Sequence, residues 1–283
     1  MFTVGIVGLG LIGGSMARAY SAGGHAVLAY DTSEATMQEA LAANAICGRL
    51  CAENAAGCDV IYLGVYPQAA LAWLEQTAPH LTRSSLVIDL CGTKRTICAE
   101  GFALAAKHGF TFVGGHPMAG TQFSGFANSR ANLFQGAPMV IVPPEGSNEA
   151  LLSRIRMLLT PVGFGSVTLS TAEEHDRIIA FTSQLAHVVS NAYVKSPNAQ
   201  VHKGFSAGSY KDLTRVAWLN EQMWTELFME NSDYLTEEID GIINALTAYR
   251  DAMAAGDAKR LKALLREGRL AKERVDQGSE EQA

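Results

Sequence analysis

The sequence predicts an α/β chain: a doubly wound, mostly parallel sheet over residues 1–166, then an all-helical C-terminal domain over residues 167–283. Three observations carry this. The length of 283 residues exceeds what a single hydrophobic core usually fills and argues for about two domains. Short apolar runs alternate with helical patterns as far as about Gly165, and this βαβ rhythm stops after Val167.

The apolar runs are Thr3–Val7, Ala26–Tyr30, 60–65, 86–90, 111–113 and 139–142. They are continuous in Val, Ile and Leu, with no polar alternation. Strands buried on both faces have that character, and parallel sheets covered by helices on each side contain such strands. Further on, Thr171 followed by Glu174 makes a capping box, and apolar side chains then fall on every face until Ser196-Pro197, which predicts a buried helix. Helices are expected over 210–217, 220–254 and 257–274. An apolar central helix in a small helical domain needs a covering surface, so a homodimer is expected.

Composition narrows the function. Apolar residues make up 48% of the chain and charged residues 18%, as in compact globular proteins. A net charge of −6 without a long basic run excludes a general nucleic-acid surface, so any anionic ligand must be held by a few local cations. The five cysteines, Cys47, Cys51, Cys58, Cys91 and Cys98, form no even disulfide set and no CxxC pair, and no His-rich segment accompanies them. Reduced thiols and no metal site are expected. No run approaches a membrane span and residues 1–20 lack a basic leader, so a cytoplasmic protein without membrane partners is expected. The end, 277–283, is polar and acidic and is expected to fray.

The first strand runs into Gly8-Leu9-Gly10-Leu11-Ile12-Gly13-Gly14-Ser15 at the start of a helix, a Rossmann-type GxGxxG turn. Gly8 permits the tight turn, Gly10 admits a pyrophosphate to the backbone, and Gly13 lets helix and strand approach. The first helical turn, Leu11 and Ile12, supplies amide donors. Such a turn alone can be a mere connection, but Asp31 ends the second strand about twenty residues on, as the fingerprint requires. A carboxylate there accepts hydrogen bonds from ribose hydroxyls and repels a 2′-phosphate, while Thr32 and Ser33 offer no arginine to receive one. NAD is therefore expected over NADP.

Ligands of such sheets bind beyond the carboxyl ends of the strands. Two glycine-flanked polar segments fall there, Asp89-Leu90-Cys91-Gly92-Thr93-Lys94-Arg95 and Val113-Gly114-Gly115-His116-Pro117-Met118-Ala119-Gly120-Thr121. His116, on an expected loop at a strand terminus, is the leading general base, since a neutral imidazole accepts a hydroxyl proton near neutral pH. Ser183 and His187 stand four apart on the buried helix and share a face. On spacing alone a satisfied core histidine is the preferred explanation. Arg215 has a planar guanidinium suited to clamping a carboxylate, with a surface ion pair to Asp212 as the alternative. Trp224 and Tyr234 are expected to be packing aromatics.

Together these segments, with Lys211 to Arg215 and Met223-Trp224, resemble the prephenate dehydrogenase family of tyrosine biosynthesis over nearly the whole chain. The most specific parts are Gly-Gly-His-Pro-Met-Ala-Gly-Thr and Lys-Asp-Leu-Thr-Arg. The resemblance implies oxidative decarboxylation of prephenate to 4-hydroxyphenylpyruvate, with hydride leaving ring C4 for NAD and carbon dioxide leaving C1. It implies that His116 takes the C4 hydroxyl proton, that Arg215 holds a carboxylate, and that Ser183 and His187 contact the substrate. Where relatives carry a loop serine, Cys91-Gly92 precede Thr93, which makes Thr93 the candidate replacement. Gln184 stands where some relatives have another histidine. The chain ends too soon after its helices for the regulatory ACT domain of some members, so tyrosine control would act at the active site.

Arogenate, with an amine in place of the side-chain ketone, is the alternative substrate and calls for a nearby carboxylate, from Asp212 or a partner subunit. Two other readings compete. A β-hydroxyacid dehydrogenase would need a catalytic lysine on the helical domain, yet Lys195 and Lys203 lie near the Ser196-Pro197 break and outside the expected helices. A non-catalytic NAD-sensing protein would leave His116 and Arg215 idle.

Overall fold

The computed structural model describes residues 1–121 and 123–280. Residues 281–283 of the polar end lie outside the described residues. Residues Met1–Asn231 form one compact unit, and the residues from Ser232 on form a second.

The first unit opens with β1 (Thr3–Val7), α1 (Leu11–Ala22), β2 (Ala26–Tyr30), α2 (Glu34–Ala42), β3 (Gly48–Arg49), α3 (Ala52–Ala55), β4 (Val60–Leu63) and α4 (Pro67–Thr77). It continues with β5 (Leu86–Asp89), α5 (Arg95–His108), β6 (Thr111–Pro117), β7 (Pro138–Val142), α6 (Glu149–Leu159) and β8 (Ser166–Leu169). The eight strands form one sheet in the order β3-β2-β1-β4-β5-β6-β7-β8. All neighbours are parallel except β6 and β7. The order reverses between β1 and β4, the crevice where doubly wound sheets bind ligands. One apolar cluster, with Ile6, Tyr20, Tyr62, Ile88 and Phe134, covers one face, and a second, with Leu63, Trp73, Leu74, Val87 and Phe112, covers the other. Strands buried on both sides are what the unbroken apolar runs required.

Three strands correct the sequence reading. The two-residue β3 is too short to leave a pattern, and β8 is an edge strand with Ser166, Thr168 and Leu169 exposed. The expected strand 111–113 runs on to Pro117, so His116 sits in a strand and not on a loop. Gly114, Gly115, His116 and Pro117 pair with Val142, Ile141, Val140 and Met139 of β7. The two glycines read as loop residues because glycine weakens strands, but close approach demands them here. A Cβ on Gly114 would lie 2.5 Å from Cys98 Sγ, and one on Gly115 would lie 2.5 Å from the Asp89 carbonyl oxygen.

After β8 the Thr171 hydroxyl accepts from the Glu174 amide and starts α7 (Ala172–Ile179). A π-helical segment, Ala180–Leu185, leads without a break into α8 (Ala186–Tyr193). This is the helix expected to be buried on all sides, but within one chain Ile178 and Phe181 are exposed. The helices α9 (Gly208–Thr214) and α10 (Glu221–Glu230) complete the unit. The helix expected over 220–254 is two helices, interrupted at the fully buried Asn231.

The second unit is a helical hairpin of α11 (Ser232–Ala254) and α12 (Ala258–Glu280). Gly256 turns the chain with φ +65°, Asp257 Oδ1 accepts from the Arg260 amide, and the Tyr249 hydroxyl donates to the Leu264 carbonyl. No helix among the described residues is long and apolar enough to cross a membrane.

At the first glycine turn, a Cβ on Gly13 would lie 1.9 Å from the Gly8 carbonyl oxygen, so α1 and the end of β1 would have to move apart. Gly13→Ala is expected to cost more than about 2 kcal/mol, an overpacking penalty against backbone with nowhere to yield. Chemical denaturation measures it; unchanged stability would show that the turn has room to spare.

Candidate active site

Gly8 adopts φ +85° and donates its amide to the Tyr30 carbonyl at 2.7 Å, which joins the turn to the end of β2. Asp31, the next residue, accepts from the Leu9 amide through Oδ2 and from the Ser33 amide through Oδ1, both at 2.8 Å. Each oxygen keeps a lone pair for a further donor. A Cβ on Gly10 would meet nothing within 4 Å, so the backbone there is open to an outside group. The first turn of α1, with Leu11 and Ile12, carries no side-chain cap and no acidic residue. Free amides and the positive end of the helix dipole suit such a turn to a phosphate. Arg49 on β3 is paired with Glu34.

At the end of β5 the carboxylate of Asp89 is fully buried and paired with the equally buried Lys94. Asp89 also accepts from the Cys91 amide (2.9 Å) and, across to β6, from the Gly115 amide (3.1 Å). Burial alone would lower the Lys94 ammonium, but the Asp89 charge and hydrogen bond, with Cys91 and Cys98 beside it, together outweigh burial and hold the group above its ordinary value. The residue beside His116 is thus tied to β5 by an ionic bond network inside the sheet.

His116 and two residues that the sequence reading missed form a chain. His116 Nδ1 lies 2.9 Å from His175 Nε2, and His175 Nδ1 lies 2.7 Å from Asp176 Oδ1. Asp176 in turn accepts from the Lys94 amide (2.7 Å) and the Arg95 amide (2.9 Å) at the start of α5, and from Arg95 Nε (3.4 Å). Burial, then the neighbouring His175 and Lys94, holds His116 well below the usual imidazole range. Burial also lowers His175, against the opposing pull of Asp176. For Asp176 burial acts upward, but the bonds from His175 and the two amides prevail and lower it. The available signal was a His-Asp pair inside a helix expected to be buried, where two ionisable groups need partners.

On the helical side, Ser183 lies in the π segment and its carbonyl accepts from His187 Nδ1–H at 2.9 Å. The His187 ring packs at a tilt of 32° against Trp224, with centroids 4.0 Å apart, and Trp224 leans on Phe228. Burial lowers His187 against the bond to the Ser183 carbonyl, and the Arg215 charge lowers it further. Arg215 is exposed, just past α9, and among the described residues it forms no ion pair with Asp212. Gln184 donates to the Leu227 carbonyl and accepts from Asn231, which donates again to the Asp176 carbonyl. Thr93 is almost fully buried and its hydroxyl donates to Glu230 of α10. Lys195 and Lys203 are exposed and outside helices. Among the described residues no group of three or more His, Cys, Asp or Glu is placed to hold a metal ion.

The lowered histidines carry a stability signature. Below the ordinary imidazole value of 6.5, the unfolded chain binds protons that folded His116, His175 and His187 refuse, so stability falls with pH from there downward. The melting temperature is expected to be flat between about pH 8 and 6.5 and to drop by about pH 5. A melting temperature that held or rose over that acid interval would contradict neutral, buried imidazoles.

Comparison with known proteins agrees with this geometry. The model of the prephenate dehydrogenase nucleotide-binding domain matches residues 16–168, and that of the prephenate dehydrogenase dimerisation domain matches residues 171–267. A cyclohexadienyl dehydrogenase of Zymomonas mobilis is 29% identical over 95% of this chain and 94% of its own. Arogenate dehydrogenase of Synechocystis superposes with a TM-score of 0.79 at 26% identity, covering 96% of this chain and 99% of that one. Prephenate dehydrogenase of Aquifex aeolicus, solved with hydroxyphenyl propionate and NAD+, gives 0.83 at 25% identity, covering 97% and 98%. The glycine turn, the paired sheet halves and the helical segment behind His116 thus belong to one recognisable scaffold, and the chain is a member of the prephenate dehydrogenase family of oxidoreductases.

Proposed function

We propose that the chain catalyses NAD-dependent oxidative decarboxylation of prephenate to 4-hydroxyphenylpyruvate, with residues 1–166 serving the cofactor and 167–283 the substrate and dimerisation. The observation that carries the reading is His116 at the carboxyl edge of the sheet, with one ring nitrogen engaged by His175 and burial holding the imidazole below its ordinary range. Its other nitrogen is left for the substrate.

The residues present fit NAD. The open backbone at Gly10 and the uncapped amides of Leu11 and Ile12 suit the pyrophosphate, Gly8 and Gly13 form the turn, and Asp31 retains lone pairs for ribose hydroxyls. When bound, NAD supplies the hydride acceptor. His116 takes the proton of the C4 hydroxyl as hydride leaves C4. Loss of carbon dioxide from C1 then returns its electron pair to the ring, and His116 gives the proton back to the resulting phenolate. Arg215 clamps a substrate carboxylate, while Ser183 and His187 orient the acid. The hydroxyl of Thr93 is engaged by Glu230, so Thr93 contributes by holding its loop to α10.

Prephenate is kept as the substrate because its ketone needs no carboxylate beside it, whereas the amine of arogenate would; Arg215 serves the carboxylates that both acids carry. A second copy of the chain would cover the exposed Ile178 and Phe181 in a homodimer, a reading supported by the match to the dimerisation domain. The five free thiols suit the cytoplasm.

The test follows cofactor reduction by absorbance with purified protein, prephenate or arogenate, and NAD or NADP. The largest kcat/KM is expected for prephenate with NAD. A preference for arogenate would keep the chemistry and change the substrate, a preference for NADP would remove Asp31's role, and no reduction of either cofactor would refute the proposal.

A further inference from the structure

We infer that His175 and Asp176 are positioning residues that fix the tautomer of His116, so that its Nε2 carries the lone pair that accepts the substrate proton. The inference rests on His116 being the base and adds which nitrogen acts and what imposes that choice.

The order of protons follows from counting donors. Asp176 is an acceptor at both oxygens, because Oδ1 receives the Lys94 amide and Oδ2 receives the amide and guanidinium of Arg95. Backbone amides cannot reverse their role. The short contact from Oδ1 to His175 therefore has its proton on His175 Nδ1. A neutral imidazole has one N–H, so His175 Nε2 is bare and can only accept. At 2.9 Å its partner, His116 Nδ1, must donate. His116 Nε2 is then the unprotonated nitrogen. The opposite order would set the lone pair of His175 Nδ1 against that of Asp176 Oδ1 at 2.7 Å, two acceptors with no proton between them.

The three residues come from different places. His116 stands on β6, whereas His175 and Asp176 stand on α7 and are clamped to the start of α5. His175 is 3% exposed and Asp176 is 1% exposed, so neither is offered to a substrate. The base is consequently correct only when α7 is seated, which couples proton acceptance to the docking of that helix. When Nε2 gains its proton, the imidazolium keeps its Nδ1–H bond to His175, and the Asp176 charge stands behind it. The proton itself stays on His116 until it returns to product.

His175→Phe, His175→Leu and His175→Gln, measured in the full-length enzyme, test this. Phe and Leu remove the acceptor for His116 Nδ1–H, and kcat is expected to fall about 10²- to 10³-fold, the scale of a lost general base. KM for substrate and NAD should remain within about threefold, since ground-state contacts are untouched. In His175→Gln the side-chain carbonyl can occupy the place of Nε2 and accept from Nδ1–H, so most of kcat should return. Wild-type kcat in Phe or Leu, or a Gln variant as slow as they are, would overturn the inference. His116→Asn separates the two levels: if it leaves kcat intact, the base assignment itself is wrong.

Discussion

The carboxylate of Asp176 at the start of α5 is the contact on which the rest of the site depends. The first amides of a helix have no partner within it, and a carboxylate there gains hydrogen bonds and a favourable dipole at once. Asp176 takes the amides of Lys94 and Arg95 and thereby seats α7 on the start of α5. Glu226 of α10 does the same less tightly at α4, where it accepts from the Gln68 amide at 3.3 Å. Caps of this kind contribute about 0.5–2 kcal/mol each. The first turn of α1 has no acidic residue and no side-chain cap, which leaves it for a phosphate. Carboxylates of the later helices thus close the first turns of α4 and α5, while the first turn of α1 carries no such cap and is the one proposed for the cofactor.

The buried pair of Asp89 and Lys94 sets the strand that carries His116, the proposed base. Removing one partner of such a pair strands a charge and costs about 3–5 kcal/mol, whereas the intact pair adds little net stability. Its role is geometric. Asp89 holds the Gly115 amide, and the glycines at 114 and 115 let β6 close upon β5 and β7. His116 therefore projects from a fixed ladder rung and not from a loop. Burial holds its ring below the ordinary imidazole range, and His175 and then the Lys94 charge add to it.

Much of this was legible in the sequence wherever the cause is local. The glycine turn, Asp31 and the apolar strands of the sheet are short-range patterns, and the Thr171 cap formed as its spacing implied. What stayed hidden is tertiary. His175 is 59 positions from His116, and Asp176 is 82 positions from the amide it caps at Lys94, so no window along the chain joins them. The only local sign of the break at Asn231 is Asn231-Ser232-Asp233, residues that favour helix caps, with no Pro or Gly beside them. The Asn231 amide is needed between the Asp176 carbonyl and Gln184. His116 was found by its glycine neighbours, and the same glycines concealed that it lies in a strand. Nothing in the sequence relates His187 to Trp224 or to Arg215; in the fold the imidazole packs against Trp224 and the Arg215 charge lowers it.

Nitrogen-15 NMR of the histidine rings in the intact protein near neutral pH reads the proton order of the chain directly. The account predicts neutral His116 with its proton on Nδ1 and Nε2 bare, and neutral His175 likewise protonated on Nδ1. A His116 ring protonated on Nε2, whether as the other tautomer or as imidazolium, would contradict it.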